Sequence, residues 1–475
     1  MLGRVIDVRV AVVGGGISGL AAAWFLRQSL GPDAEIVVLE KQPVVGGHLR
    51  VSDVAGLPVD EGAESLLARR PEAVDLAVAV GLGDDVVHPA SVGAGLWSRG
   101  AIVPLPAGTV MGVPADPAQL AGVLTVAEMT AAIARDASYP QLRVEEDVAI
   151  GRLVRSRYGD AVADRLVEPL LGGVYAGRAD ELSLDATVPA LGAAVRTART
   201  LGEAVAAASP GAAAGAGPVF AGLTGGVGRL PGAVAAASGA DVRTGVTVRS
   251  VERTADGWRL VIGPVPEPSV LDVDAVVVAT PAVAAARLLA DAAPAAAAEL
   301  GGVEAASMAI VTLALPADGF PAAPSSTGFL VPPVDGRTIK AVTFSSVKWP
   351  WLGGRAGGLV LLRASLGRHG EASDLQRDDD ELVAAALADV RAATGYAGAV
   401  ADSRVTRWGG ALPQYAVGHL DRVARVRAAV DALPGLAVCG AVYDGVGLAA
   451  CVGAAHDAAS GVAAYLSDRR ARIET

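Results

Sequence analysis

The hydrophobic pattern changes period several times along the chain, and each change predicts an element. Val8–Val13 is a β-branched apolar run interrupted only by Arg9; Gly14–Gly19 follows, then helical composition over Leu20–Leu30, then a second apolar run at Glu35–Leu39. Short β-branched runs of this kind suit parallel strands buried on both faces, so the chain opens on a βαβ unit. Leu49–Val54 and Leu57–Val59 alternate as a hairpin would. From about 117 to 205 the spacing is helical, with helices predicted at Val144–Tyr158 and Asp160–Leu171. Ser209–Pro218 holds only Ala, Gly and Pro after its first residue and reads as a mobile loop. A helix is predicted over Gly225–Ala237, and strands at Val242–Val251, Trp258–Val261 and Ala275–Ala279. Strands then dominate from about 305 to 410, with one helix at Asp379–Ala393. A last buried strand, Leu436–Cys439, precedes a helix from about Ala450 to Leu466.

The βα pattern thus recurs at the start, middle and end of the chain. The expected class is α/β: a doubly wound nucleotide-binding domain assembled from residues 1–75, 218–292 and 430–475. A β-sheet substrate domain is expected from 76–115 and 293–429, and a helical lobe from 116–205. A length of 475 residues suits two or three domains.

Composition narrows the function. Hydrophobic residues make up 52% and aromatics 4%, so the core is built of Ala, Val and Leu. Of the 39 basic residues only Lys41, Lys340 and Lys348 are lysines. A formal net charge of -11 with no basic stripe argues against nucleic acid and against anionic membrane surfaces. Val8–Leu26 is long enough to span a bilayer, but its glycines make it a strand, a turn and a helix. Together with the missing signal-peptide pattern, this predicts a cytoplasmic protein without stable membrane insertion. Cys439 and Cys451 have no zinc spacing, the five His are scattered, and no metal site is expected. Asp378-Asp379-Asp380-Glu381 reads as the acidic start of a helix.

Gly14-x-Gly16-x-x-Gly19 between strand and helix is a dinucleotide fingerprint. Its glycines permit the turn, the approach of a pyrophosphate and close helix–strand packing. The helix N-terminus then offers free N–H groups to phosphate, so Gly14, Gly15, Gly16, Ile17, Ser18 and Gly19 are candidate cofactor contacts. Glu40, 21 residues after Gly19, can accept from ribose hydroxyls. This set alone does not separate FAD from NAD.

Glu40-Lys41-x-x-x-x-Gly46-Gly47-His48-x-Arg50 resembles the double-glycine signature of the flavin-dependent amine oxidase and protoporphyrinogen oxidase superfamily. Gly62-Ala63-Glu64-Ser65 resembles its next segment, beside the flavin and ribityl chain. Near the C-terminus, Gly440 and Val446-Gly447-Leu448 resemble the return to the flavin, where a helix N-terminus can stabilise charge on the reduced ring. The resemblance assigns an adenine contact to the main chain of Val248. It implies non-covalent FAD, and Cys439 reads as a small buried apolar residue rather than a redox thiol.

Within that superfamily the chain resembles the bacterial oxygen-dependent coproporphyrinogen III and protoporphyrinogen IX oxidases over nearly its whole length. The motifs are Val167-Glu168-Pro169-Leu170-Leu171-Gly172-Gly173-Val174-Tyr175-Ala176-Gly177, Glu181-Leu182-Ser183, Pro218-Val219-Phe220, Pro413-Gln414-Tyr415, Gly418-His419 and Tyr443-Asp444-Gly445. Their spelling and the Arg-rich, Ala-rich composition resemble actinobacterial members. The resemblance implies oxidation of coproporphyrinogen III to coproporphyrin III, with molecular oxygen as acceptor and peroxide as product. It also implies transient contact with other haem-pathway enzymes. Protoporphyrinogen IX oxidation, amine oxidation, desaturation and a non-catalytic porphyrin carrier are the alternatives. Arg50, Tyr175, Trp408 and Tyr443 are the candidate substrate residues. His48 departs from the basic residue the family often carries there, and no catalytic acid or base stands out.

Overall fold

The computed structural model describes residues 8–139, 142–209 and 217–474. A five-stranded parallel sheet draws on three distant parts of the chain. Its order is Asp241–Arg243, Glu35–Leu39, Arg9–Val13, Ala275–Val278, Leu436–Val438. Alternate residues of its inner strands enter two cores. Val10, Val12, Ile36, Val38 and Val277 pack under helices Ile17–Leu30 and Leu448–Glu474. Ala11, Val13, Val37, Leu39, Val276 and Val278 pack against the antiparallel sheet Val248–Arg253, Trp258–Ile262, Ser269–Val273 and nearby helices. This explains why the strands read as apolar on both faces. Arg9 sits at the strand's start, where its guanidinium meets Glu35 at 2.6 Å.

A second sheet forms a floor. Its seven strands run Asp402–Pro413, Ala305–Pro316, Leu359–Leu366, Ile339–Thr343, Gly328–Leu330, Gly95–Ser98, Ala101–Pro104. One face carries Val311, Leu313, Leu362, Ala364, Leu366 and Ile339 against helix Asp379–Thr394. The other face turns toward the parallel-sheet domain and the helical lobe. That lobe, from Val126–Ser138 to Leu201–Ala208, packs around Leu96 and Leu330 at one end of the floor.

Several boundaries differ from the sequence reading. Helix Ile150–Tyr158 starts later than Val144. The Val242–Val251 strand is two strands, broken where Gly245 takes a φ of +70°. The stretch read as carrying one helix has short ones as well, at Ser345–Lys348 and Pro350–Gly353. The final helix runs from Leu448 to Glu474, beyond its apolar stripe, because nothing in 467–473 breaks it. Most of the Ser209–Pro218 loop lies outside the described residues. Among the described residues, no helix is long and apolar enough to cross a membrane.

Candidate functional site

The Gly14–Gly19 turn is held by its neighbours on both sides. A Cβ on Gly19 would overlap the carbonyl oxygen of Gly14, so only glycine lets helix and turn approach this closely. Gly16 is different: a Cβ there would meet nothing. The helix starts at Gly16 without a side-chain cap and without an acid in its first turn. Free N–H groups and the positive end of the helix dipole therefore face open space, an arrangement that fits a pyrophosphate. Glu40 accepts from the Gly15 N–H at 2.7 Å and the Gln42 N–H at 2.7 Å. Each carboxylate oxygen keeps a further lone pair that can accept from a ribose hydroxyl.

The other predicted cofactor segments converge on this turn. Gly46 donates to the Gly15 carbonyl at 2.8 Å and bridges to Gly16. Val246 donates to the Glu40 carbonyl at 2.9 Å, which brings Val248 to the same end. A bulge between Val248 and Ser250 interrupts the strand pairing there. Cys439 donates its N–H to the Val278 carbonyl, and its thiol lies 3.9 Å from the Ser18 carbonyl. Gly440 and Gly447 also face open space. Gly47, Ala63 and Gly447 are exposed in the middle of the domain. Val446 packs with the helical lobe, while Leu448 opens the last helix in the parallel-sheet core. Lys41 points to solvent. The arrangement is a trough lined by main chain, fit for an extended dinucleotide.

Glu64 differs from its neighbours. Its carboxylate is taken by Lys348 at 2.6 Å, Arg363 at 2.8 Å and Ser345 at 3.1 Å, which leaves its main chain for a cofactor. Burial would raise its pKa, but the two cations hold it down at about 2. Ser65 accepts from the same Lys348. Asp60, pushed up to about 6 chiefly by burial, accepts from the Val227 and Gly228 N–H groups.

Trp408 joins the trough to the floor. Its indole N–H donates to the Glu61 carbonyl at 2.8 Å. His48 stands edge-on to its ring at 5.2 Å, and the Arg50 guanidinium lies 5.6 Å from the ring centre. Arg50 is half-buried, and its Nε is buried without a partner. It is therefore not a solvated loop arginine. His48 is accessible yet surrounded by protein, as a residue lining a concavity is. Burial, helped by Arg50, lowers its pKa.

Tyr175 is buried beside Tyr415, with ring centres 5.6 Å apart; burial raises its pKa to about 12. The Pro413-Gln414-Tyr415 and Gly418-His419 motifs act as ties. The Gln414 amide donates to the Tyr175 carbonyl, the Tyr415 hydroxyl to the Ala441 carbonyl, and His419 Nε2 to the Val442 carbonyl. Helical lobe, floor and C-terminal loop are thereby joined. Tyr443 is not brought into this group. Its ring packs among Val278, Val423 and Leu436 on the far side of the parallel sheet, with its hydroxyl buried and unpartnered. Arg178 pairs with Glu371 at 2.7 Å.

Sequence reasoning missed a row of buried charge on the floor: Lys340, Arg363 and Arg368. Arg363 lies on the Leu359–Leu366 strand and also donates to the Gly62 carbonyl. A charged residue inside an otherwise apolar strand was the available signal.

The flavin-containing amine oxidoreductase family model matches residues 17–463. A coproporphyrinogen III oxidase of Mycobacterium tuberculosis is 40% identical, covering 97% of this chain and 98% of that one. A solved Exiguobacterium structure, provisionally assigned as a protoporphyrinogen oxidase, superposes with a TM-score of 0.84 at 31% identity. It covers 96% of this chain and 99% of its own. Cyclohexylamine oxidase from Brevibacterium oxydans shares the fold, with a TM-score of 0.71 at 18% identity over 97% of this chain and 100% of that one.

Proposed function

The chain belongs to the flavin-containing amine oxidoreductase family, and from that premise we propose that it oxidises coproporphyrinogen III to coproporphyrin III. The observation that carries the reading is the junction at Trp408, where an FAD trough meets a sheet face bearing buried cations. FAD lies in the trough without a covalent bond. Cys439, the cysteine nearest the flavin end, is buried, and burial raises its pKa well above the usual thiol range. When bound, FAD supplies a two-electron acceptor; six electrons and six protons leave the porphyrinogen in three cycles, and dioxygen takes them up as hydrogen peroxide.

The chain's own residues have a narrower task. The indole of Trp408 and the apolar floor around Ile310 hold a flat macrocycle and exclude water. Arg50 offers its guanidinium to a substrate carboxylate. His48, beside Trp408, can take up a pyrrole proton as an imidazolium and then release it to solvent, a release that the nearby Arg50 charge favours. Tyr175 and Tyr415 close the side toward the helical lobe. The setting is cytoplasmic. Amine oxidation is disfavoured: the likeness to an amine oxidase lies in the fold, whereas the 40% likeness is to a coproporphyrinogen oxidase.

The test is the ratio of kcat/KM for coproporphyrinogen III and protoporphyrinogen IX, measured side by side with product spectra. The expected ratio favours the tetracarboxylate. A tenfold preference for protoporphyrinogen IX, about 1.4 kcal/mol in transition-state binding, would overturn the substrate assignment.

A further inference from the structure

The floor sheet holds a second cationic group, apart from the Glu64 triad. Lys340 is 4% exposed, and among the described residues no hydrogen bond or ion pair of its ammonium is found. It owes its direction to a bulge. Pairing with the Leu359–Leu366 strand slips between Ile339 and Ala341, so Ile339 and Val342 both enter the lower core. Lys340 is the extra residue, on the side shared by Ala341 and Ser365. Its carbonyl accepts from Val331, beside Leu330 at the edge of the helical lobe.

Two more groups near it lack partners. The Ser365 hydroxyl is buried and unbonded, and so is Nη2 of Arg368, which is 7% exposed. Arg368 has only a long contact to Glu371, 3.8 Å, and Glu371 is already paired with Arg178. Arg368 is close enough to Lys340 to disfavour its charge. Burial, with Arg368 adding to it and Glu371 opposing, pulls Lys340 down to about 7. Glu168, the other acid within reach, is itself pushed toward its neutral form by burial. The cluster is thus short of negative charge. It is also short of acceptors, because Nη2 of Arg368 and the Ser365 hydroxyl are buried donors left unbonded.

We propose that Lys340, Arg368 and the Ser365 hydroxyl form a buried anion site that takes one carboxylate of the substrate, at the end of the floor opposite Arg50. This rests on the porphyrinogen reading above. A macrocycle laid across the sheet would then be held at two ends, by Arg50 beside Trp408 and by Lys340 and Arg368 beneath the helical lobe. The Tyr175–Gly177 motif closes over the second end, since the Ala176 carbonyl accepts from His369, next to Arg368. A propionate supplies both the missing charge and the missing acceptors.

The test uses FAD-loaded protein and coproporphyrin III as probe. Lys340→Met and Arg368→Met should each weaken coproporphyrin III binding and raise KM for coproporphyrinogen III by about tenfold or more, with kcat within about twofold. Lys340→Arg should keep most of the affinity. Flavin content should stay normal, and Tm of Lys340→Met should hold or rise, because an unpaired buried cation is removed. Unchanged binding and KM in both methionine variants of an otherwise active enzyme would overturn this inference alone. A wild-type holoenzyme that neither binds coproporphyrin III nor turns over coproporphyrinogen III would overturn the substrate reading with it.

Discussion

The parallel sheet and the floor sheet are built on opposite chemistry. Around the parallel sheet, the candidate cofactor groups are main chain: an uncapped helix start at Gly16, open space at Gly440 and Gly447, and one carboxylate at Glu40. At the floor, the candidate groups are side chains: Arg50 over Trp408, and Lys340 near Arg368, with Arg363 held by Glu64 beside them. A main-chain site tolerates almost no Cβ but needs no specific functional group. A side-chain site tolerates backbone variation but depends on charge balance.

Gly16→Val would break the comparison most severely if the trough is not a main-chain site. Its Cβ enters open space, so the fold should survive while bound FAD falls at least tenfold and turnover falls with it. Circular dichroism and flavin content check this; full flavin content in a folded variant would remove the main-chain account.

On the floor, Glu64→Gln leaves Lys348 and Arg363 buried without their carboxylate. Urea unfolding should show a loss of roughly 3–5 kcal/mol. The pH dependence has a definite sign. Glu64 is held at about 2, below its unfolded value, so its contribution is present above pH 4.5 and is lost as pH falls toward 2. Asp60 acts oppositely. Its folded value of about 6 lies above its unfolded value of 3.8, so its contribution is full below that value and is lost as pH rises toward 6. Loss of the low-pH dependence in Glu64→Gln checks the assignment.

Arg50→Ala sharpens the boundary between the two regions. Flavin content should be normal while kcat/KM falls ten- to a hundredfold, about 1.5–3 kcal/mol for a charge-assisted hydrogen bond. Unchanged kcat/KM would reduce Arg50 to packing on Trp408. The smallest effect is expected at Cys439→Ala: unchanged activity, unchanged non-covalent flavin, and a stability loss of about 1 kcal/mol for a trimmed buried side chain.

The same contrast explains what was legible in the sequence. Main-chain sites need glycines at fixed spacing, so Gly14–Gly19, Gly46-Gly47 and the C-terminal return could be read, together with the α/β class. Side-chain sites on an antiparallel floor are assembled from strands far apart in the chain. Lys340 can reach the proposed anion site only because a bulge shifts the alternation after Ile339, and no local pattern announces a bulge. Tyr443 was misleading for a related reason. It follows a flavin-like loop, but its ring turns into the core behind the sheet. Glu64 sat in a cofactor-like motif, yet its carboxylate serves Lys348 and Arg363, nearly 300 residues later.

The most direct test of the central claim is anaerobic stopped-flow mixing of the FAD-loaded protein with coproporphyrinogen III, with cyclohexylamine and phytoene in parallel. Coproporphyrinogen III is expected to bleach the flavin absorbance in one two-electron step, with porphyrin absorbance growing only after oxygen is admitted and the flavin cycles again; the other two are expected to cause no bleaching. An unreduced flavin with coproporphyrinogen III, or rapid bleaching by the amine, would contradict it.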